Sequence, residues 1–371
     1  MLIAASNPAY AQSSRRFGSH FIHGQIRTGY YFIETRNNSG RIITTPEWRL
    51  RARLGMTFRF NEQLSFTARL AGRYSTNQDR FEFWVHPYAA SPGGLRFGQA
   101  AFDMFHLHWE DGSRWMIQAG RMQHGFYLKG IAAKGLDRYH SSNVSITWTD
   151  GIWLRYLIHR DWYAHGILQY NHAKGTTSSY TPPMNFSEPG SRLSYFIGIE
   201  AKETSGWWNQ REVSITLIPS SFRNSDDKIC DYWALTGRLG INLPVPVSFL
   251  DVMIAGAAGY APAAPSWSQL NLSTNMKSNQ DAFAWQASIN FQNIFDRHNL
   301  GVLYGKTDPG WLISPSFRNN THTLEIRHQY RFSQRLSTEM RYRIRKQWHT
   351  PLDAAVKRKD DDFYAQITFR F

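Results

Sequence analysis

The segment from Trp48 to Phe60 reads WRLRARLGMTFRF, with arginine at Arg49, Arg51, Arg53 and Arg59. On an extended chain a period of two puts these four on one face, with Trp48, Leu50, Ala52, Leu54, Met56, Phe58 and Phe60 on the other. Guanidinium groups stay charged over the working range and grip carboxylate or phosphate as a planar fork. A ladder of them offers successive weak sites from which an anion can both enter and leave. The same parity selects Arg341, Arg343 and Arg345 in segment 336–348, Arg327 and Arg331 in 321–332, and Arg27, Arg69, Arg73 and Arg370 elsewhere. Acids of matching parity are few, Glu325 and Glu339, so the expected field is positive. The competing reading is that these arginines only keep a wetted face polar and pair with acids from loops.

Other constellations point to less chemistry. His106 and His108 lie at i, i+2, but no Cys or carboxylate stands beside them at metal-ligand spacing, so no metal or other cofactor is expected. Cys230 is the single cysteine, which excludes an intrachain disulfide and reads as a small buried or lipid-facing residue. No nucleophile carries a local motif of the G-x-S-x-G kind, so an enzyme is not expected. Asp360, Asp361 and Asp362 follow Lys357, Arg358 and Lys359, and read as a solvated loop tip rather than a divalent-ion or lipopolysaccharide contact. Lys and Arg total 42 against 28 Asp and Glu, a net charge of +14. Nucleic acid is not the expected partner. The aromatics and arginines alternate on opposite faces and cannot share one stacking platform.

The elements that must position the arginines are strands. Period-two segments fall at roughly 20–34, 48–60, 64–74, 97–109, 114–124, 149–159, 161–171, 191–202, 208–218, 231–243, 248–260, 282–293, 298–306, 321–332, 336–348 and 362–371. Connections alternate between short (61–63, 110–113, 160, 203–207, 244–247, 294–297, 333–335) and long (35–47, 75–96, 125–148, 172–190, 219–230, 261–281, 307–320, 349–361). Proline is expected only between strands, because it cannot donate to a ladder. In 97–109 the run Phe102, Met104, Phe105, Leu107 and Trp109 breaks phase, which predicts a bulge or an apolar patch on the polar side. Segments 248–260 and 282–293 offer small, neutral groups on their polar face, which leaves room there.

This chain of 371 residues has no apolar run of about 18 residues, so a helical membrane span is excluded. Its mean hydropathy of −0.48 suits a barrel whose lumen is wet, since only every second strand residue meets lipid. Aromatics are 15% of the chain, with 14 Trp. Trp109, Trp115, Trp162, Trp207 and Trp208 flank short turns and Trp48 and Trp348 flank long loops, as two interfacial belts would require. The expected fold is all-β: a transmembrane antiparallel β-barrel of about 16 strands, with short periplasmic turns and long extracellular loops. Lipid excludes arginine from the outer face, so the ladder points inward. Closure of the last strand on the first then gathers most of the arginine into one sector.

The last strand alternates Phe363, Ala365, Ile367, Phe369 and Phe371 with polar residues. An ending of this kind resembles bacterial outer-membrane β-barrels, where it is read by the barrel-insertion machinery. Phe363, Ile367, Phe369 and Phe371 would be that signal. The segments Arg49 to Tyr74 and Gln118-Ala119-Gly120-Arg121 to Gly151 resemble the putative-porin and alginate-export group. The resemblance implies a porin in the outer membrane of a Gram-negative bacterium, with both termini periplasmic. Its surroundings would be lipid and lipopolysaccharide. In general porins the third external loop narrows the lumen. Here that is 125–148, with Lys129, Lys134, Asp137 and Arg138, a net basic set where an acidic one is usual. The departure favours anions, so small anionic solutes are the expected cargo. Export of an anionic polysaccharide, or a barrel sheathing a partner protein, is the alternative. The loop 75–96 resembles the latch of porin trimers and implies a homotrimer. Residues 1–11 read as a truncated signal-peptide remnant with Ala9-Tyr10-Ala11 before the cleavage point, and 12–371 as one barrel domain with no room for a plug.

Overall fold

The structure is a computed structural model and describes residues 20–78, 85–86, 95–139, 146–171, 181–201, 206–274 and 280–371. The strands are β1 (His20–Arg36), β2 (Ile42–Arg59), β3 (Leu64–Ser75), β4 (Val85–His86), β5 (Gln99–Glu110), β6 (Trp115–Met122), β7 (Thr149–His159), β8 (Trp162–Tyr170) and β9 (Leu193–Ala201). They continue as β10 (Trp208–Arg223), β11 (Ile229–Leu243), β12 (Asp251–Ala264), β13 (Gln280–Ile294), β14 (His298–Thr307), β15 (Thr321–Arg331), β16 (Leu336–Gln347) and β17 (Lys359–Arg370). The two-residue β4 lies parallel to β5 at Ala100 and Ala101. Each of the others pairs antiparallel with its neighbours in the chain, and β1 pairs with β17 from Gln25↔Arg370 to Arg36↔Lys359. The wall is therefore a closed transmembrane barrel of sixteen strands without a free edge. Gly24 and Phe371 complete the seam by exchanging backbone hydrogen bonds of 2.9 and 3.1 Å.

Burial is inverted relative to a globular domain. On β2, Leu54 is 56% exposed while Arg51 is 7% exposed, so the apolar face is outside and the charged face inside. Ile197, Val213, Phe283 and Met340 are likewise exposed on other strands. Only hydrocarbon outside makes such a face favourable. The side-chain core lies within the lumen, where Leu136, Phe186, Phe222, Tyr232, Trp311 and Phe317 belong to one buried cluster.

Several boundaries differ from expectation. Segment 35–47 is mostly strand, and only 37–41 connects β1 to β2. The 219–230 loop shrinks to 224–228 in the same way. Pro46, Pro219 and Pro262 consequently lie within strands, contrary to the rule that proline falls between them. Each stands where a ladder bond is not needed. Above Arg49 no β3 residue faces β2, and the Pro46 carbonyl on that side accepts from Asn77 Nδ2 at 2.9 Å. Pro219 and Pro262 stand in register shifts, between Ile218 and Phe222 and between Ala261 and Ala264. The expected bulge in β5 is present as a shift opposite Arg69 and Leu70. Phe102, Phe105 and Leu107 stay outside, while Asp103 turns inward with no exposure. The signal remnant and most of the latch loop lie outside the described residues.

Candidate functional site

After β6 the chain crosses the lumen, and its residues 123–139 are seated on the far wall. The Ile131 N–H donates to Asn290 Oδ1 at 2.8 Å, and Gln286 Nε2 donates to the Lys134 carbonyl at 2.8 Å. A second inward loop, 308–320, meets it: Trp311 Nε1 donates to the Leu136 carbonyl at 2.9 Å and Ser314 Oγ to that of Gly135 at 2.7 Å. The small groups of β12, β13 and β14 make this possible. A Cβ on Gly259 would stand 2.3 Å from the Trp311 ring, and one on Gly301 2.6 Å from Ile131 Cβ. The room on that wall is thus filled by protein rather than left to solvent.

The four charged residues expected on this loop act as its anchors. Lys134 Nζ lies 2.9 Å from Glu325 on β15. Asp137 meets Arg238 on β11, which also meets Glu212 on β10. Arg138 Nε donates to Gln169 Oε1 at 3.0 Å and its Nη2 to Asn171. Lys129 Nζ donates to the Asn209 carbonyl at 2.9 Å. Lys134, Asp137 and Arg138 are buried, so the loop's basic surplus is spent on holding the loop. Arg238 and Glu212 were not anticipated, although their inward parity was available. His124, at the root of the loop, packs edge-on to Trp153 at 4.8 Å, and burial pushes its ring down to about 3. It is a neutral aromatic there.

The arginines of the sector lie beside more acids than the sequence reading counted. Arg27, Arg51 and Arg73 stand directly opposite one another on β1, β2 and β3. Their hydrogen bonds include neutral acceptors: Thr368 Oγ1 for Arg27 at 3.1 Å, Gln25 Oε1 for Arg51 at 2.7 Å and the Leu95 carbonyl for Arg73 at 2.6 Å. Arg49 lies over the Tyr31 ring at 4.3 Å, and Arg73 over Phe97 at 4.1 Å. Carboxylates, however, are more numerous than Glu325 and Glu339. Asp103 takes Arg53 and Arg69, each at 2.8 Å, and Glu47 takes Arg49 at 2.8 Å. Asp362 holds Arg341, and Arg343 at 2.7 Å, while Asp360 lies 3.5 Å from Arg345 and 2.6 Å from Arg318. Arg327 Nε donates to Glu325 at 3.0 Å and its Nη1 lies 3.7 Å from Glu339. Asp360 and Asp362 are buried wall residues of β17, not a solvated tip, because the final strand begins at Lys359.

Arg59, Arg331 and Arg370 share the inward parity but sit toward the short-turn end. Arg331 and Arg370 are exposed there, and Arg59 lies over the Phe21 ring at 5.3 Å. Phe363, Ile367, Phe369 and Phe371 are all exposed on the outer face. His106 Nδ1 lies 3.1 Å from the Arg121 carbonyl and His108 Nδ1 3.0 Å from Gln118 Nε2, so the two rings are committed to the wall.

No family model matches the chain, and no curated protein matches it. Solved structures do. The outer membrane channel DcaP of Acinetobacter baumannii superposes with a TM-score of 0.60 at 12% identity, over 96% of this chain and 99% of that one. OprB of Pseudomonas putida gives 0.60 at 9% identity over 95% and 94%. OpdK of Pseudomonas aeruginosa, solved with vanillate, gives 0.54 at 10% identity over 94% and 98%. At these identities the likeness is one of fold, the outer-membrane porin barrel.

Proposed function

We propose that the protein is an outer-membrane porin giving passive, anion-preferring diffusion of small hydrophilic solutes. The passage runs between the arginine sector and the inward loops, with short turns and both termini on the periplasmic side. The observation that carries this reading is the row Arg27, Arg51 and Arg73, in register on three adjacent strands. Like charges directly opposite one another are destabilising, so the row costs stability and is accounted for by a passing anion. The acids Asp103, Asp360, Asp362 and Glu47 reduce the surplus of the sector without removing it, since the arginines still outnumber them. Loops seated inside the lumen favour small solutes over a polymer or a sheathed protein partner.

The test is reversal potential in a planar bilayer under a salt gradient. Replacing Arg51 and Arg73 together by Gln removes charge and retains polarity. Arg341 and Arg343 are poor targets, because their loss strands Asp362. The anion-to-cation permeability ratio should fall by roughly twofold or more, with the largest effect at low salt, where screening is weakest. An unchanged ratio in a folded, conducting variant overturns anion guidance by this row.

A further inference from the structure

The barrel's outer face carries a row of basic side chains, four of them Lys or Arg, unrelated to the lumen. At the long-loop end, Lys306 of β14 stands opposite His322 of β15, His322 opposite Lys346 of β16, Lys346 opposite Lys359 of β17, and Lys359 opposite Arg36 of β1. All five have the parity of exposed apolar residues on their own strands, such as Tyr304, Leu324, Tyr342, Phe363 and Phe32. The row therefore faces the membrane and not the passage. Its height is that of a headgroup layer. Trp348 stacks on His322 at 4.9 Å and an interplanar angle of 7°, and Trp285 lies 5.5 Å from Tyr304, an aromatic belt at one barrel rim. Two positions further in, the outer face is Leu324, Ile344, Asp361 and Glu34, and four positions in it is Ile326, Tyr342, Phe363 and Phe32.

Opposite charges offset this row only in part. Lys359 Nζ lies 2.7 Å from Asp361, and Lys306 Nζ 3.7 Å from Asp308. Among the described residues, neither Lys346 nor Arg36 has an ion-pair partner, and both flank Lys359 directly. Beneath Lys359 the surface opens into a recess of about 280 Å³ lined by Phe32, Glu34, Tyr342, Lys359, Asp361 and Phe363. Glu34 and Asp361 stand between the cations and the rings of Phe32, Tyr342 and Phe363, and with Asp361 paired to Lys359 the two cations without an ion-pair partner, Lys346 and Arg36, lie outermost. Cations at the rim and aromatic rings deeper along the barrel match an amphiphile whose anionic head sits at the rim and whose chain lies along the wall.

We propose that Lys346, Lys359 and Arg36 form a binding site for the phosphate groups of a phosphorylated lipid headgroup in the surrounding leaflet. His322 and Lys306 extend the site along the rim. The lipid neutralises the positive surplus of Lys346 and Arg36 and ties β14–β17 to β1 across the closure seam. The proposal does not depend on which solute the lumen carries.

The purified barrel, stripped of lipid in a neutral detergent, is mixed with diphosphoryl lipid A and with phosphatidylcholine, and retained lipid is read by native mass spectrometry. Lipid A should be retained in preference to phosphatidylcholine, and retention should weaken with salt. The variant K346Q/K359Q/R36Q should bind lipid A at least about tenfold more weakly, with heat-modifiable migration showing that it is folded. If the triple variant does not fold, the single variant K346Q, which breaks no ion pair, should weaken retention about threefold. Equal retention by the parent and a folded variant, or no preference over phosphatidylcholine, overturns the proposal. Displacement of lipid A by millimolar inorganic phosphate also overturns it, because the site would then be one for a soluble anion.

Discussion

Asp103 holds two guanidinium groups at once, and it can do so because a bulge turns it inward between Phe102 and Phe105, which stay in lipid. Asp103→Asn keeps the shape and removes the charge. It should leave Arg53 and Arg69 facing each other without a counter-charge, and breaking a buried pair costs on the order of 3 kcal/mol. Urea titration of heat-modifiable migration should show the variant unfolding at distinctly lower denaturant. A midpoint equal to the parent's would show that water in the lumen replaces the carboxylate. A second carboxylate acts outside the membrane. Asp111, in the turn after β5, accepts from the backbone N–H of Ser113 at 2.8 Å, of Arg114 at 2.8 Å and of Trp115 at 3.0 Å. The Ser113 N–H, first among these, holds its carboxyl down to about 2 from the ordinary 3.8. A depressed acid stabilises the fold above its unfolded value and loses that contribution as pH falls through the folded one. Amide exchange at Ser113, Arg114 and Trp115 should therefore stay protected at neutral pH and at pH 5, and loosen only as pH drops from about 4 toward about 2. Protection lost already near pH 6 would count against this account.

At the scale of elements, β12, β13 and β14 do more than close a cylinder. Their inner faces are small so that residues 123–139 and loop 308–320 can pack against them, and Gly259 and Gly301 mark close approaches. Gly259→Val would drive a side chain into the Trp311 ring. Overpacking of this kind costs about 1–3 kcal/mol, and the strand cannot yield while both its neighbours remain bonded. The loop should yield instead. Limited proteolysis within 308–320 should be faster in the variant, and single-channel conductance should change, while the barrel keeps its heat-modifiable migration. Unaltered proteolysis and conductance would show that Trp311 is not held by this contact.

For the whole molecule, closure decides assembly. The Phe371 backbone bonds to Gly24 in both directions, and the Phe371 ring occupies the space a Cβ on Gly24 would need. Deleting Phe371 removes the last bonds of the β1–β17 seam together with the terminal aromatic. Membrane-embedded, heat-modifiable protein should fall severalfold, with unfolded chain accumulating before insertion. Wild-type levels after the deletion would show that neither the seam end nor the aromatic signal is needed.

The sixteen-strand barrel was legible in the sequence because a strand that meets lipid on one face and water on the other must alternate, and alternation survives without any knowledge of neighbours. That same regularity placed Arg27, Arg51, Arg53, Arg341, Arg343 and Arg345 on the inner face. Asp362 already stood at inward parity in segment 362–371 but was read with the charged run as a loop tip, and following the alternation back to Lys359 would have added Asp360. Asp103 was beyond such reasoning, since a bulge shifts parity by one and its position depends on the partner strand. Glu47 was lost because 35–47 was read as a connection, whereas an edge without a neighbour tolerates Pro46 inside β2. Ion-pair partners, the loop seated in the lumen and the cationic row on the outer rim arise from residues far apart in the chain. Register between strands brings them together, and register is set by the closure of the barrel as a whole.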